Sequence, residues 1–289
     1  MDSLFSIEPN PGTDYAHVWR RVHEVEDAIK RIDHMWHVMK LYLDKNFENE
    51  FRLHPCERSW ELILGFTLNQ CGFKFKTDHL HRLDFAIVFE DRKLWIEATT
   101  PKSGVTSDAI PSFSDNNLSV YPEPQIILRI RGKIDDKLKQ FQECIYNGSV
   151  SQEDYFVIAI SGMQFPPIVD DVLSPAILKA VIPIGEPQIW VNRETCIVQD
   201  RNTYEYRSKL IKNNGSEVET TCFLDPRYSA ISAVLFSDAN FLMENERVKS
   251  SFIIVHNPLA INVLPKGFFG IGTEIFPVIN NHTISWTIT

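Results

Sequence analysis

A chain of 289 residues with 44% apolar side chains can bury the core of one large domain or two small ones. A formal charge of −9 argues against polyanion binding through the surface as a whole and leaves only a local basic groove for such a partner. There is no apolar run of about 18 residues, the start MDSLFSIEPNPG has neither a basic nor an apolar segment, and the five cysteines contain no C-x-x-C pair. A membrane span, secretion, a disulfide framework and a structural zinc are therefore not expected, and a cytoplasmic protein is.

In chain order, residues 1–13 read as a tail. Residues 14–46 read as one long helix with Asp14 as its N-cap. Its apolar positions Val18, Val22, Val25, Ile29, Ile32, Trp36, Met39 and Leu43 alternate in steps of four and three, a heptad seam. Such a seam either lies along the chain's own core or forms a coiled-coil arm, through which residues 14–46 would pair two copies into a homodimer. His34 and His37 are three apart but have no further ligand of fitting type, so no metal is expected there.

A second helix starts near Glu57, with Trp60, Ile63, Leu64, Thr67 and Leu68 on its buried face and Glu57 and Glu61 one turn apart beside it. A hairpin, RLDFAIVFEDRKLWIEATTPKSG, runs from Arg82 to Gly104. After a polar loop comes a helix over 129–146 with the stripe Ile130, Ile134, Leu138, Phe141 and Ile145, then an apolar strand from Tyr155. The Pro-rich 165–187 reads as an insertion. Further on, a hairpin turns at Asn214-Gly215, AISAVLFS and SFIIVHNP are apolar strands, and TISWTIT closes the chain. The expected fold is α/β (α+β), a central mixed sheet flanked by helices. Residues 47–289 form its one domain, with a core over 57–160 and a β-rich extension over 161–289.

The hairpin carries the chemistry. With Glu90-Asp91 as a two-residue turn, Phe89 pairs with Arg92 and Asp84 falls opposite Glu97. Leu83, Phe85, Ile87, Phe89, Leu94, Ile96 and Ala98 then share an apolar face, while Asp84, Ala86, Val88, Lys93, Trp95, Glu97 and Thr99 share the other. Opposed Cβ atoms lie about 4.5–5.5 Å apart, and two charges at about 5 Å repel by roughly 3 kcal/mol at an effective dielectric near 20. A proton or a cation must relieve that repulsion. A divalent metal with oxygen ligands is one way to do so.

Glu61 on a helix, Asp84 on a strand and Glu97 at the end of the next strand spell E-x22-D-x12-E-A-T. This resembles the PD-(D/E)XK phosphodiesterase superfamily, the restriction-endonuclease-like fold, over residues 57–160. The resemblance implies Mg²⁺ or Mn²⁺ held by Asp84, Glu97 and the Ala98 carbonyl, with Glu61 contributing directly or through water. The lysine expected two residues after the second acid is Thr99, whose hydroxyl could touch the site but carries no charge. Lys102 in the following loop is one substitute. Lys137, in a polar stripe with Lys133 and Gln140, is another, since in some members the lysine stands on that helix; a site with no functional lysine is the third reading. Arg129, Arg131 and Lys133, with Gln140, would position a phosphate backbone.

What this implies is a metal-dependent DNA endonuclease, by fold-level analogy serving genome defence or DNA processing. The alternatives are an enzyme acting on RNA or nucleotides, and a catalytically inactive member of the fold acting as an immunity or regulatory interaction protein. Gln142 and Tyr146 form Q-x-x-x-Y, similar to a helix motif of RecB-type nucleases. His79 and His81 precede Asp84 and could meet phosphate or simply sit in a loop. His256-Asn257-Pro258 ends a strand and reads as turn chemistry or as the lining of a site.

Overall fold

A computed structural model describes residues 3–77, 83–105, 107–111, 121–166, 174–280 and 283–289, side chains at 199–202 excepted. Four helices come first: α1 (Asp14–His23), α2 (Ala28–Met39), α3 (Phe47–Leu53) and α4 (Pro55–Gln70). The hairpin β1 (Phe85–Phe89) and β2 (Arg92–Thr99) follows, then α5 (Glu123–Tyr146), β3 (Tyr155–Ser161) and α6 (Ala176–Val181). Two ribbons, β4 (Ile184–Val191) with β5 (Val198–Tyr206) and β6 (Lys209–Ile211) with β7 (Glu217–Glu219), stand outside the main sheet. The second turns where the sequence places it, with Gly215 at φ 84. The chain ends with β8 (Ala233–Ser237), α7 (Asn245–Ser250), β9 (Ile253–His256), β10 (Thr273–Asn280) and β11 (Thr283–Ile288).

The expected mixed sheet flanked by helices is present, with seven strands in the order β1-β2-β3-β8-β9-β10-β11. Its middle, β2-β3-β8, is parallel, and β1 and β9 join that group antiparallel. Strand residues alternate between two cores. Phe85, Ile87, Leu94, Ile96, Val157 and Leu235 face α1–α4 and α7; Ala86, Trp95, Phe156, Ile158 and Val234 face α5 and α6. The α4 helix is buried from Ser59 to Leu68, and its Trp60 indole N–H donates to the Ala159 carbonyl at 2.9 Å. No helix among the described residues is long and apolar enough to cross a membrane.

Several expectations are corrected. The long N-terminal helix is two helices, broken where Asp27 takes a left-handed φ of 63, a conformation an α-helix cannot contain. The heptad pattern persists because α2 resumes against the same core. Val22, Ile32, Trp36, Met39 and Leu43 are buried within the chain, so the seam lies along this protein's own core. The tail is anchored too: Leu4 and Phe5 are buried, and the Tyr15 hydroxyl donates to the Leu4 carbonyl at 2.9 Å. The described part of 165–187 is no peripheral insertion, because every residue of α6 is buried and Lys179 reaches Glu123 at 2.6 Å.

Two glycines inside helices make opposite predictions. A Cβ on Gly65 of α4 would lie 2.7 Å from Met39 Cε and 2.9 Å from Phe85 Cζ, whereas one on Gly132 of α5 would meet nothing within 4 Å. In urea unfolding, Gly65→Ala is expected to cost about 1–3 kcal/mol through overpacking. Gly132→Ala is expected to gain about 0.5–1 kcal/mol from the lost freedom of the unfolded chain.

Candidate active site

The hairpin register is the one read from the turn: Phe89 pairs with Arg92 and Phe85 with Ile96, and Glu90 makes the turn at φ 54. The ladder stops one residue short of Asp84, and side chains continue it. The Asp84 N–H donates to Glu97 Oε2 at 3.2 Å, and the Ala98 N–H donates to Asp84 Oδ2 at 2.7 Å. The Asp84 carboxylate thus takes the bond that the Leu83 carbonyl would have accepted. Leu83 turns away as a result and joins the core under α5, a correction to its expected place beside Phe85. Because the N–H and C=O of one strand residue point the same way, the Ala98 carbonyl faces the Asp84 side, and Leu83 makes no backbone bond to it.

Helices bring the remaining groups. Lys137 of α5 donates to Glu97 Oε1 at 2.5 Å and to Gln140 Oε1 at 3.2 Å. Arg58 of α4 donates to Glu61 Oε2 at 2.5 Å, one turn along the same helix. Arg58, Glu61, Asp84, Ala98 and Lys137 border a cavity of about 260 Å³ also lined by Thr99, Lys102 and Lys133, and Glu97 is joined to it through Lys137. Thr99 is buried in the wall, and the neighbouring Thr100 has a buried hydroxyl without a hydrogen-bond partner among the described residues. Asp84, Glu97 and the Lys137 ammonium therefore meet at one place.

Three carboxyls share two cations here, and their proton affinities follow. Burial pushes Glu61 up to about 8, the Asp84 charge adds to the push, and Arg58 opposes it. Burial raises Glu97 to about 7, again with Asp84 adding and Lys137 opposing. Asp84 is raised by burial against the pull of Lys137, the Ala98 N–H and Arg58. The trio titrates as one unit that is short of positive charge.

The donor set bears on the expected metal. No group of three or more His, Cys, Asp or Glu side chains among the described residues is arranged to hold a metal ion. Glu61 is turned to Arg58 rather than to Glu97. Mg²⁺, however, usually takes one or two carboxylates and completes its shell with water and substrate phosphate. Asp84, Glu97 and the Ala98 carbonyl are donors of that kind, and their shortage of positive charge is of the sign a cation relieves.

Other candidates separate. Lys102 is exposed and pairs with Glu57 at 3.1 Å, so of the two lysines Lys137 is the one on Glu97. Arg131, expected to hold phosphate, is 3% exposed; it falls on the same face as Ile127, Ile134 and Leu138. There it binds the Glu219 carbonyl at 2.9 Å, Asp135 at 2.7 Å and the Tyr228 hydroxyl at 3.0 Å. Arg129 is spent on the loop after β2, donating to the Asp108 carbonyl at 3.0 Å. Lys133 borders the cavity with no ion-pair partner among the described residues. Gln142 and Tyr146 are exposed on α5 and do not line the carboxylate cavity. Asn257 ties its turn to the carbonyls of Tyr228 and Ile231 at 3.0 and 2.9 Å, and His256 lies buried 3.3 Å from Glu274. His79 and His81 fall outside the described residues. Arg58 escaped the sequence reading; the signal for it was an arginine three residues before a glutamate on an apolar helix.

A pH dependence follows. Folded Glu61 and Glu97 keep protons that unfolded carboxyls near 4.5 have released. The stability this adds is complete below about 4.5 and is lost as pH rises through about 7 and then about 8. The Tm of the metal-free protein should fall across that window in melts followed by circular dichroism, and Glu61→Gln should flatten the upper part of the fall. Comparison with family models, with curated proteins and with solved structures found no match. What this site does therefore rests on its own residues.

Proposed function

We propose that the protein is a metal-dependent nuclease that hydrolyses phosphodiester bonds, a DNA endonuclease with a restriction-endonuclease-like core over residues 57–160. One observation carries the reading: Asp84 and the Lys137 ammonium line one cavity, from a strand end and a helix, and Glu97 of the neighbouring strand is hydrogen-bonded to both residues. Asp84, Glu97 and the Ala98 carbonyl would hold Mg²⁺ or Mn²⁺. When bound, such an ion supplies Lewis acidity toward water and toward the scissile phosphate.

The chain's own groups do the rest. Lys137, already on Glu97, replaces the lysine absent at Thr99 and balances the negative charge that grows on the phosphate oxygens during in-line attack. Glu61, held by Arg58 on the cavity wall, would contribute to the metal's shell directly or through water. Lys133 on the cavity rim is placed for a neighbouring phosphate, which positions the strand without reading its sequence.

A second reading has an observation of its own. Lys137–Glu97 and Arg58–Glu61 are closed ion pairs, and the chain's charge is −9. An inactive member of the fold that binds another protein would keep such pairs for stability. Titration calorimetry with Mg²⁺ and Mn²⁺, followed by plasmid incubation, separates the two. Wild type should bind metal and nick DNA, and Asp84→Ala/Glu97→Ala should do neither. Lys137→Ala should keep metal binding and lose roughly 10²–10³-fold in kcat, the usual loss for a charge-stabilising donor. Lys102→Ala should change kcat by less than about threefold, because its partner is Glu57. A wild type that binds no metal would overturn the nuclease reading.

A further inference from the structure

A second cavity, of about 430 Å³, lies next to the first, at the carboxyl ends of the parallel strands β2, β3 and β8 and under α1. In open α/β sheets that end of the strands is where ligands bind. The two cavities share a wall. Along α4, Cys56 and Ser59 line the new cavity while Glu57 and Arg58 line the carboxylate cavity; after β2, Ser103 lines the new cavity and Lys102 the carboxylate cavity. A phosphate in the carboxylate cavity would thus have its own nucleoside within reach of the neighbouring one.

The lining is half apolar and half polar. Val18, Met163 and Leu242 supply apolar surface, the Gln164 amide can both donate and accept, and the Asn240 amide, whose oxygen accepts from the Leu242 N–H, can donate. Ser59 lines the cavity at 3% exposure, and its hydroxyl has no hydrogen-bond partner among the described residues. That hydroxyl is free to donate to or accept from a ligand in the cavity. The rim groups Asp14, His17 and Arg21 nearly cancel in charge, which suits a neutral heterocycle better than a phosphate. The volume is in the lower part of the range for small-molecule pockets, about 300–1,000 Å³. A base can enter such a pocket only after leaving its stack and its partner.

We propose that this cavity is a nucleobase subsite that takes one unpaired base, so that the substrate is single-stranded or locally unpaired nucleic acid, or a free nucleotide. The assignment rests on the nuclease reading for its place beside the scissile phosphate, but the subsite itself can be tested without cleavage.

The experiment titrates dAMP, dCMP and, as the baseless control, 2-deoxyribose 5-phosphate into the full chain without metal. Single-stranded and duplex oligonucleotides of one sequence form the other arms. The mononucleotides and the single strand should bind, and the control and the duplex should bind at least about tenfold more weakly, 1.4 kcal/mol. Ser59→Leu should weaken mononucleotide binding by a similar factor. Val18→Trp, on the partly exposed wall helix, makes the same test should the buried variant fail to fold. Base-dependent binding by a wild type that cleaves nothing would uphold the subsite while removing the nuclease reading, and mononucleotide binding without single-strand binding would identify a free nucleotide as the ligand. Cleavage of duplex and single strand alike, unchanged in both variants, would leave the nuclease standing and overturn the subsite. Equal binding of the baseless control would overturn it as well.

Discussion

The register of one hairpin governs the position of every acid at the site. With Phe85 opposite Ile96, apolar side chains of β1 and β2 alternate cleanly between two cores, and Glu97 points to the α5 side. A slip by one residue would drive Glu97 into the core under α4 and turn Ile96 to the α5 side. The two-residue turn at Glu90 forbids that slip. At the far end of the same hairpin the Asp84 carboxylate replaces a main-chain acceptor for Ala98. The acid is thereby held by the strand it faces, and the ladder is opened where a ligand could reach the Ala98 carbonyl.

Packing then decides which lysine reaches the acids. Ile130, Ile134, Leu138 and Phe141 set the rotation of α5 against the sheet. Given that rotation, Lys133 and Lys137 lie on consecutive turns toward the cavity, and Arg131 points inward. A cation carried on a helix need not respect the strand spacing that would otherwise place it at Thr99. The cost is that three carboxyls in a poorly solvated place share two cations, so a proton or another positive charge must make up the difference.

What could be read in advance and what could not divide along physical lines. The hairpin, its register and the meeting of Asp84 with Glu97 follow from local rules of period two and turn length. The stripes of α4 and α5 follow from period 3.6. The break at Asp27 was hidden because both helices lie on the same core and keep the seam in phase across it. Arg131 looked like a surface charge because composition does not say which charges find partners inside; its partners, Glu219 and Tyr228, come from a distant ribbon and turn. The second cavity was invisible for a similar reason, since its walls come from α1, α4 and the ends of three strands. Such a place exists only once the sheet order β2-β3-β8 is known.

The bond from the Trp60 indole to the Ala159 carbonyl joins residues 99 apart in the chain. It has a bearing on how the molecule is made. The α4 helix is buried on nearly all sides from Ser59 to Leu68, yet β3 and β8, which cover one of those sides, are synthesised only much later. Contacts of such long range must await loop closure and slow the search for the native state. During synthesis the N-terminal helices emerge with their greasy surface uncovered, the condition in which nascent chains depend on chaperones. That exposure ends only when β3 and β8 pair beside β2, whereas the carboxylate site is completed on the other face of the sheet, when α5 reaches β2.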